Sequence, residues 1–135
     1  MNTETNAITA QPHAMAIGRT LLALIFLLSG LSKLGALAGT QAYMEALHVP
    51  GLLLWPTIAF EIGTGALLIV GYRTRVVAAL LAVFSLVTGV IFHSHFSDQI
   101  QVIMFLKNVS MAGGLVLLAA VGAGPFSVDA RYGRA

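Results

Sequence analysis

The chain has 135 residues, of which 58% are apolar and 9% are charged, and its formal net charge is +2. This composition excludes a soluble monomeric domain, because polar side chains are too few to cover a surface that faces water. Cysteine is absent, which excludes disulfide exchange, thiolate-bound zinc, iron–sulfur clusters and thiol-based quinone reduction by this chain. The scattered cations form no basic stripe, so we expect no nucleic-acid partner.

Hydropathy predicts an all-α integral membrane protein that folds as an antiparallel four-helix bundle. A helix needs about 20 apolar residues to cross a bilayer, and the length of the chain allows about four crossings. The composition predicts a flexible N-terminal leader over residues 1–13, a transmembrane domain over residues 14–124 and a tail over residues 125–135. The four spans are predicted at about residues 14–37, 52–71, 76–92 and 100–121.

The first apolar run has a competing interpretation as a cleaved signal peptide. An A-x-A pattern at residues 36–38 follows the run, as it would at a cleavage site. However, the preceding polar region would be unusually long, and Lys33 stands where a signal peptide is normally uncharged. We therefore expect a retained span.

The connections between spans are short and contain three of the four histidines. Residues 39–50 predict an interfacial turn or half-helix, and residues 71–75 predict a tight basic connection. In the polar loop after the third span, His93 and His95 could chelate a metal only with help from His48, Asp98 or a partner chain. No metal site is predicted, and the sequence has no haem or flavin motif.

Lysine and arginine collect on one side of this four-span arrangement. Because cytoplasmic loops carry an excess of these residues, the distribution predicts that both termini are cytoplasmic. The residues on the predicted cytoplasmic side are Arg19, Arg73, Arg75, Arg131 and Arg134.

Glu61 is the one charged residue inside the second span, and charges at such positions are costly enough to suggest a functional site. At 1.5 Å per residue it lies about 18 Å above the cytoplasmic end of its helix. Lys33 and Lys107 lie at about 21 Å in two other spans. The three charges are therefore predicted to share one polar cluster, slightly outward of the membrane midplane.

Small and hydroxyl residues lie on the same helical faces as these charges, which is typical of closely packed helices in lipid. Asn108 adds an amide next to Lys107 in the chain, but its side chain is predicted to point to an adjacent side of the helix. The residues sharing a face with one of the charges are Ser29, Gly30, Thr57, Thr64, Gly65, Ser110, Met111 and Gly114.

Two interpretations of the cluster remain open. Glu61 and Lys107 could form a buried structural ion pair that fixes the register of two helices. If Lys33 also joins the cluster, a surplus positive charge in a low-dielectric site would attract an anion or the carbonyl oxygens of a quinone. Glu61 would then be placed to exchange a proton with the ligand.

The sequence resembles the DoxX family of small four-span bacterial inner-membrane proteins, over residues 18–129. The order and spacing of the similar segments make the resemblance specific. These segments are Gly18-Arg19 with residues 26–33; Glu61 with Gly63, Gly65, Gly71 and Arg73; residues 105–108 with Met111, Gly113 and Gly114; and residues 122–129.

The resemblance implies a location in the bacterial inner membrane and an association with redox chemistry. The family takes its name from a membrane subunit of a thiosulfate:quinone oxidoreductase, and other members are associated with oxidoreductase complexes that handle sulfur compounds or oxidative stress. The family-type polar positions are Arg19, Lys33, Glu61, Lys107 and Asn108.

We therefore expect a membrane subunit linked to a quinone-dependent oxidoreductase, with quinone as the candidate cofactor. Lys107 or Asn108 would donate to a carbonyl, Lys33 and Arg19 would assist binding, and Glu61 would relay a proton. Expected partners are the bilayer, a quinone or small anion, a soluble or membrane-bound redox protein and a second copy of the chain. The alternatives are a small-solute or proton-coupled transporter and a non-catalytic anchor or scaffold.

Overall fold

The computed structural model describes residues 2–134, with side chains from residue 11 onward. Four of the helices are long and apolar enough to cross a membrane, over Gln11–Leu34, Gly51–Val70, Thr74–Phe92 and Gln99–Val121. The all-α bundle expected from the sequence is confirmed. The helices are α1 (Asn2–Leu34), α2 (Leu37–Ala46), α3 (Leu54–Val70), α4 (Thr74–Phe92), α5 (Gln99–Val121) and α6 (Val128–Arg131), with a 3-10 turn at Gly51–Leu53 before α3.

The first helix differs from the prediction at both ends. Helix α1 begins at Asn2 rather than at residue 14, so the backbone of the predicted leader continues the helix and Pro12 lies inside it. The helix ends at Leu34, and the backbone N–H of Gly35 donates to the carbonyl of Ser32 in a tighter turn. The predicted span 14–37 is therefore too long at its C-terminal end, because α2 already begins at Leu37.

Glycines allow the long helices to pack in two close pairs, α1 with α3 and α4 with α5. A Cβ atom added at Gly65 of α3 would lie 2.9 Å from the backbone nitrogen of Leu27 in α1. In the second pair, a Cβ atom at Gly89 of α4 would lie 3.0 Å from the Cβ atom of Asn108 in α5. Helices α3 and α4 contact each other over a much shorter stretch than either pair does.

The two ends of the bundle are filled differently. A buried apolar core occupies the half in which α1 and α5 meet near Ala23 and Leu115. The opposite half, around the N-terminal end of α3, contains polar side chains and a cavity. We call these halves the core end and the cavity end. The core also contains Phe26, Leu68, Val77, Ala78, Leu81, Ala82, Ala112 and Leu118.

The segment after α5 folds back onto the core end and closes the turn between α3 and α4. The carboxylate of Asp129 accepts hydrogen bonds from the backbone N–H groups of Arg73 and Thr74, each at 2.8 Å, and so caps α4. Burial raises the pKa of Asp129, but these donors and the charge of Arg134 outweigh it, so the pKa lies below its ordinary value. At the other side of the same end, the Arg75 guanidinium donates to the carbonyls of Ala119, Ala120 and Val121 and so caps the C-terminus of α5.

The outer surface of the bundle is apolar along all four long helices. Leu21, Val83 and Leu117 are each more than 60% exposed in the isolated chain. Side chains of this kind are stable on an outer surface only if lipid covers them. The exposed surface therefore agrees with four membrane-spanning helices.

Candidate functional site

The cavity end encloses a cavity of about 440 Å³ between the two close helix pairs. This volume lies within the range of sites that bind small molecules, about 300–1,000 Å³. Glu61, Lys33, Lys107 and Asn108 all line it, so the structure brings together four of the five predicted site residues. Most of the remaining wall is apolar and comes from Ile25, Phe26, Phe84, Val87, Ile91 and Met111.

A closed triangle of polar contacts lies on the α1–α3 side of the cavity. The Nζ atom of Lys33 lies 2.8 Å from Oε2 and 3.0 Å from Oε1 of Glu61. The Oγ atom of Ser29 accepts a hydrogen bond from Lys33 at 2.6 Å and donates to Oε1 of Glu61 at 3.2 Å. Each charge is thus neutralised by a partner, which offsets the cost of placing it among apolar helices.

Close helix packing explains why these two charges meet. A Cβ atom at Gly30 would lie 2.7 Å from the side chain of Ile62 and 3.2 Å from the Cβ atom of Glu61. Gly30 therefore allows α3 to approach α1 at the level of the ion pair. Lys33 is three residues further along α1, so its side chain extends across the same seam.

Lys107 lies across the cavity from this pair and is held much more weakly. Its Nζ atom contacts the Sδ atom of Met104 at 3.4 Å, and methionine sulfur is a weak acceptor. Asn108 is buried next to it, with its Nδ2 atom 2.9 Å from the carbonyl of Met104. Asn108 Nδ2 carries two hydrogens, so the amide retains a second donor for a ligand.

Of the two open interpretations, the pairing of Glu61 with Lys107 is not found. Within the part of the chain whose side chains are described, the one ion pair joins Glu61 to Lys33. Both lysines lie at a similar depth along the membrane. The rotation of each helix about its own axis determines which amine reaches the carboxylate. The cavity therefore has the surplus positive charge expected if Lys33 joins the cluster, and that charge is on Lys107.

Arg19 was expected to assist binding, but it lies at the core end and does not line the cavity. Its guanidinium donates to the carbonyl oxygens of Ala123, Ile69 and Phe126. The residue is only 3% exposed, so these backbone acceptors solvate a cation that water does not reach. Arg19 thus joins the end of α3 to the segment after α5, a contact that the sequence did not indicate.

Helix α2 forms part of the wall of the cavity, a position that the sequence did not predict. Tyr43 and Met44 of α2 line the cavity, and the Tyr43 ring stacks on Phe92 of α4 with 5.8 Å between centroids. His93 lies at the same margin, with Nδ1 3.0 Å from Oε1 of Gln101. The sequence indicates an interfacial turn or half-helix over residues 39–50, but not that this segment meets the cavity.

The histidines of the loops do not assemble with acidic residues. Within the described residues, no group of three or more His, Asp or Glu side chains is arranged to hold a metal ion. His93 instead belongs to the edge of the cavity. It can contribute a hydrogen bond there through the nitrogen that does not face Gln101.

The DoxX family model matches residues 14–94, which contribute α1 through α4 and both members of the ion pair. The chain belongs to the DoxX family. Inner membrane protein YqjF of Escherichia coli (strain K12) is 41% identical over 113 residues, which cover 84% of this chain and 87% of that protein. Inner membrane protein YphA of the same strain is 37% identical over 130 residues, covering 90% of this chain and 92% of that protein.

These similarities establish this DoxX family chain as a membrane protein with transmembrane helices, similar to named inner-membrane proteins. No solved structure matches the chain significantly. The chemistry of the cavity must therefore be argued from its own residues.

Proposed function

We propose that the cavity binds the head group of a quinone and that the chain is a membrane subunit of a quinone-linked oxidoreductase. The main support for the proposal is the way in which the charged side chains of the cavity are paired. Glu61 is neutralised by Lys33, whereas the hydrogen-bond partner of Lys107 among the described side chains is a methionine sulfur. A carbonyl oxygen would supply Lys107 with the acceptor it lacks.

In the proposed complex, one quinone carbonyl accepts hydrogen bonds from Lys107 and from the second amide hydrogen of Asn108. The apolar wall formed by Phe26, Phe84 and Met111 contacts the faces of the ring. The opposite carbonyl then faces the α1–α3 side, where Ser29, Lys33 and Glu61 lie. The two polar groups across the cavity match the two oxygens of a quinone.

Reduction of a quinone to a quinol takes up two electrons and two protons, and we assign the protons to this chain. Each carbonyl oxygen takes up one proton. Glu61, once it has received a proton from the ammonium of Lys33, would deliver it to the nearer carbonyl, and the ammonium of Lys107 would deliver the other proton, with both lysines reprotonated from water. Lys33 and Ser29 hold the Glu61 carboxylate in place at hydrogen-bond distance. The electrons would come from a redox partner protein, because no residue of this chain can supply them. We also infer, from the arginines at the core end, that this end is cytoplasmic and that the cavity lies in the outer half of the membrane.

Transport is the less favoured alternative because the cavity ends at the middle of the bundle. The buried side chains of the core end, among them Leu68, Leu81 and Leu115, fill the space below it. A solute crossing the membrane would have to displace this core. We therefore place binding ahead of transport.

Quinone binding to the purified protein tests the proposal. We would titrate ubiquinone-1 into the detergent-solubilised chain by calorimetry and extract the purified protein for any co-purified quinone. We expect one site per chain, about tenfold weaker in Lys107→Met and lost when Asn108→Leu is added. Arg131→Met, which removes an exposed cation at the core end, is the matched control and should bind normally.

Three results would count against the proposal. Binding that is equal in the unaltered chain, Lys107→Met and Arg131→Met would indicate partition into the detergent. Normal binding by Glu61→Gln, together with earlier melting and unchanged quinone reduction in the presence of a partner, would assign Glu61 a purely structural role. Uptake of a solute by proteoliposomes would favour the transport alternative.

A further inference from the structure

The cavity adjoins an apolar groove on the outside of the bundle. This groove, which we call the lateral groove, has a volume of about 270 Å³ and is lined by Leu53, Pro56, Thr57, Phe60 and Phe84. Three of these residues, Leu53, Thr57 and Phe84, also line the cavity. The same side chains therefore form a thin wall with the cavity on one side and the lipid-facing surface on the other.

The lateral groove lies at the seam between α3 and α4, which is less tightly closed than the seams between α1 and α3 and between α4 and α5. Glycines hold α1 against α3 and α4 against α5, but α3 and α4 are separated at this level by two phenylalanines. The rings of Phe60 and Phe84 lie 5.0 Å apart at an angle of 49°, and both side chains are half-buried. A ring contact can open by a change of side-chain rotamer, whereas a glycine seam can open only if whole helices separate.

We propose that the lateral groove admits the hydrocarbon tail of a long-chain lipid quinone, whose head group occupies the cavity. The inference rests on the proposed function and names the class of substrate, a bilayer-dissolved quinone rather than a short-chain or water-borne one. The tail would pass between Phe60 and Phe84 and lie against Leu53 and Pro56. The head group would reach the cavity sideways from the lipid without crossing water.

Volume supports this assignment. The cavity of about 440 Å³ lies near the lower end of the range for whole small ligands, so it holds a head group but not a polyisoprenoid tail as well. The tail must therefore leave through a wall. The α2 side of the cavity carries the polar groups of Tyr43 and His93, whereas the lateral groove is lined almost entirely by apolar side chains and faces the lipid.

Photo-crosslinking in lipid nanodiscs tests the path of the tail. The probe is a ubiquinone analogue with a diazirine on the first part of its tail, and the labelled residues are identified by mass spectrometry. We expect labels on Leu53, Pro56 and Phe60, in competition with unmodified long-chain ubiquinone. Labels concentrated on α2, or between α1 and α5 near Ile25 and Met111, would overturn the inference.

Phe60 allows a second measurement, since it lines the lateral groove but not the cavity. Phe60→Trp should slow association of the long-tailed quinone about tenfold and leave ubiquinone-1 unchanged, while Phe60→Ala should speed both association and dissociation of the long-tailed form. Phe105→Ala, which removes a phenylalanine that lines neither space, is the control.

The two proposals fail in different ways. Normal binding of ubiquinone-1, combined with identical long-tail kinetics in all Phe60 variants, would overturn the lateral groove and leave the proposed function standing. Absence of binding by both quinones in the unaltered protein would overturn both.

Discussion

The ammonium of Lys33 contacts both carboxylate oxygens of Glu61, at 2.8 and 3.0 Å, across the seam between α1 and α3. The pair leaves Lys107, on the opposite wall of the cavity, without a carboxylate partner. We expect the pair to stabilise the packing of the two helices and, in the proposed function, to leave Lys107 as the cation for the ligand.

Replacing one member of the ion pair should lower the free energy of unfolding more than replacing both members. Lys33→Met or Glu61→Gln alone should lower the free energy of unfolding by about 2–3 kcal/mol, because each leaves a charged or polar partner uncompensated. Lys33→Met/Glu61→Gln should regain at least half of the summed loss. Denaturation of all four proteins in the same detergent measures this coupling, and strictly additive losses would show that the pair does not contribute to stability.

Lys107→Met should separate binding from stability. Lys107 makes no ion pair with a described side chain and is exposed, so its replacement should change the free energy of unfolding by less than about 0.5 kcal/mol. The same variant is expected to bind ubiquinone-1 about tenfold more weakly. Thermal unfolding beside calorimetric titration provides both readouts, and a large fall in the melting temperature would indicate a structural role for this lysine.

Arg19→Lys should destabilise the protein although the charge is conserved. The guanidinium spans carbonyls of Ile69, Ala123 and Phe126, whereas a single ammonium on a shorter reach cannot serve all three. We expect a loss of about 2–3 kcal/mol, because hydrogen bonds to charged groups are worth about 1.5–3 kcal/mol each. Arg131→Lys is the control, and equal melting of the two variants would contradict this assignment.

Asp129 should make stability fall at acidic pH. Because its folded pKa is lower than the ordinary value of 3.8, its contribution is present above that value and is lost as the pH falls through the lower, folded pKa. The unaltered protein should therefore lose stability below about pH 4 relative to Asp129→Asn, which is less stable at neutral pH. Melting curves from pH 3 to 7 would test this, and parallel curves for both proteins would refute it.

Gly65→Ala and Gly63→Ala form a matched pair on α3. A Cβ atom at Gly65 would lie 2.9 Å from the Leu27 backbone, whereas one at Gly63 has no heavy atom within 4 Å. Gly65→Ala should cost about 1–3 kcal/mol, because α1 and α3 must separate. Gly63→Ala should be neutral or slightly stabilising, by up to about 1 kcal/mol. Equal effects on unfolding would show that α1 and α3 do not pack closely at this level.

Hydropathy alone was sufficient to predict the four spans, since their length and composition are set by the bilayer. The close seams were also predictable in part, because Gly30, Gly65 and Gly114 lie on the faces that meet neighbouring helices. The C-terminal end of α1 was not predictable, because the apolar run continues through Leu37. Only the backbone turn at Gly35 separates α1 from α2.

For the candidate site, the sequence predicted the depth of the charged residues in the membrane but not the rotation of their helices. Counting residues placed Glu61, Lys33 and Lys107 near one plane, and all three line one cavity. It could not show which amine reaches the carboxylate, since that depends on how each helix is turned about its axis. Arg19 was assigned by family likeness, although its position near the opposite end already separated it from the cluster.

The contacts of Arg19 also bear on the order in which the protein is assembled. Two of its carbonyl partners, those of Ala123 and Phe126, follow it by 104 and 107 residues. During synthesis the first span must therefore insert with a guanidinium whose final acceptors have not yet been made, and lipid phosphates or water must solvate it meanwhile. A chain released from the ribosome before residue 123 is added would contain all four spans. It would still lack the two carbonyls that accept hydrogen bonds from Arg19 in the first span.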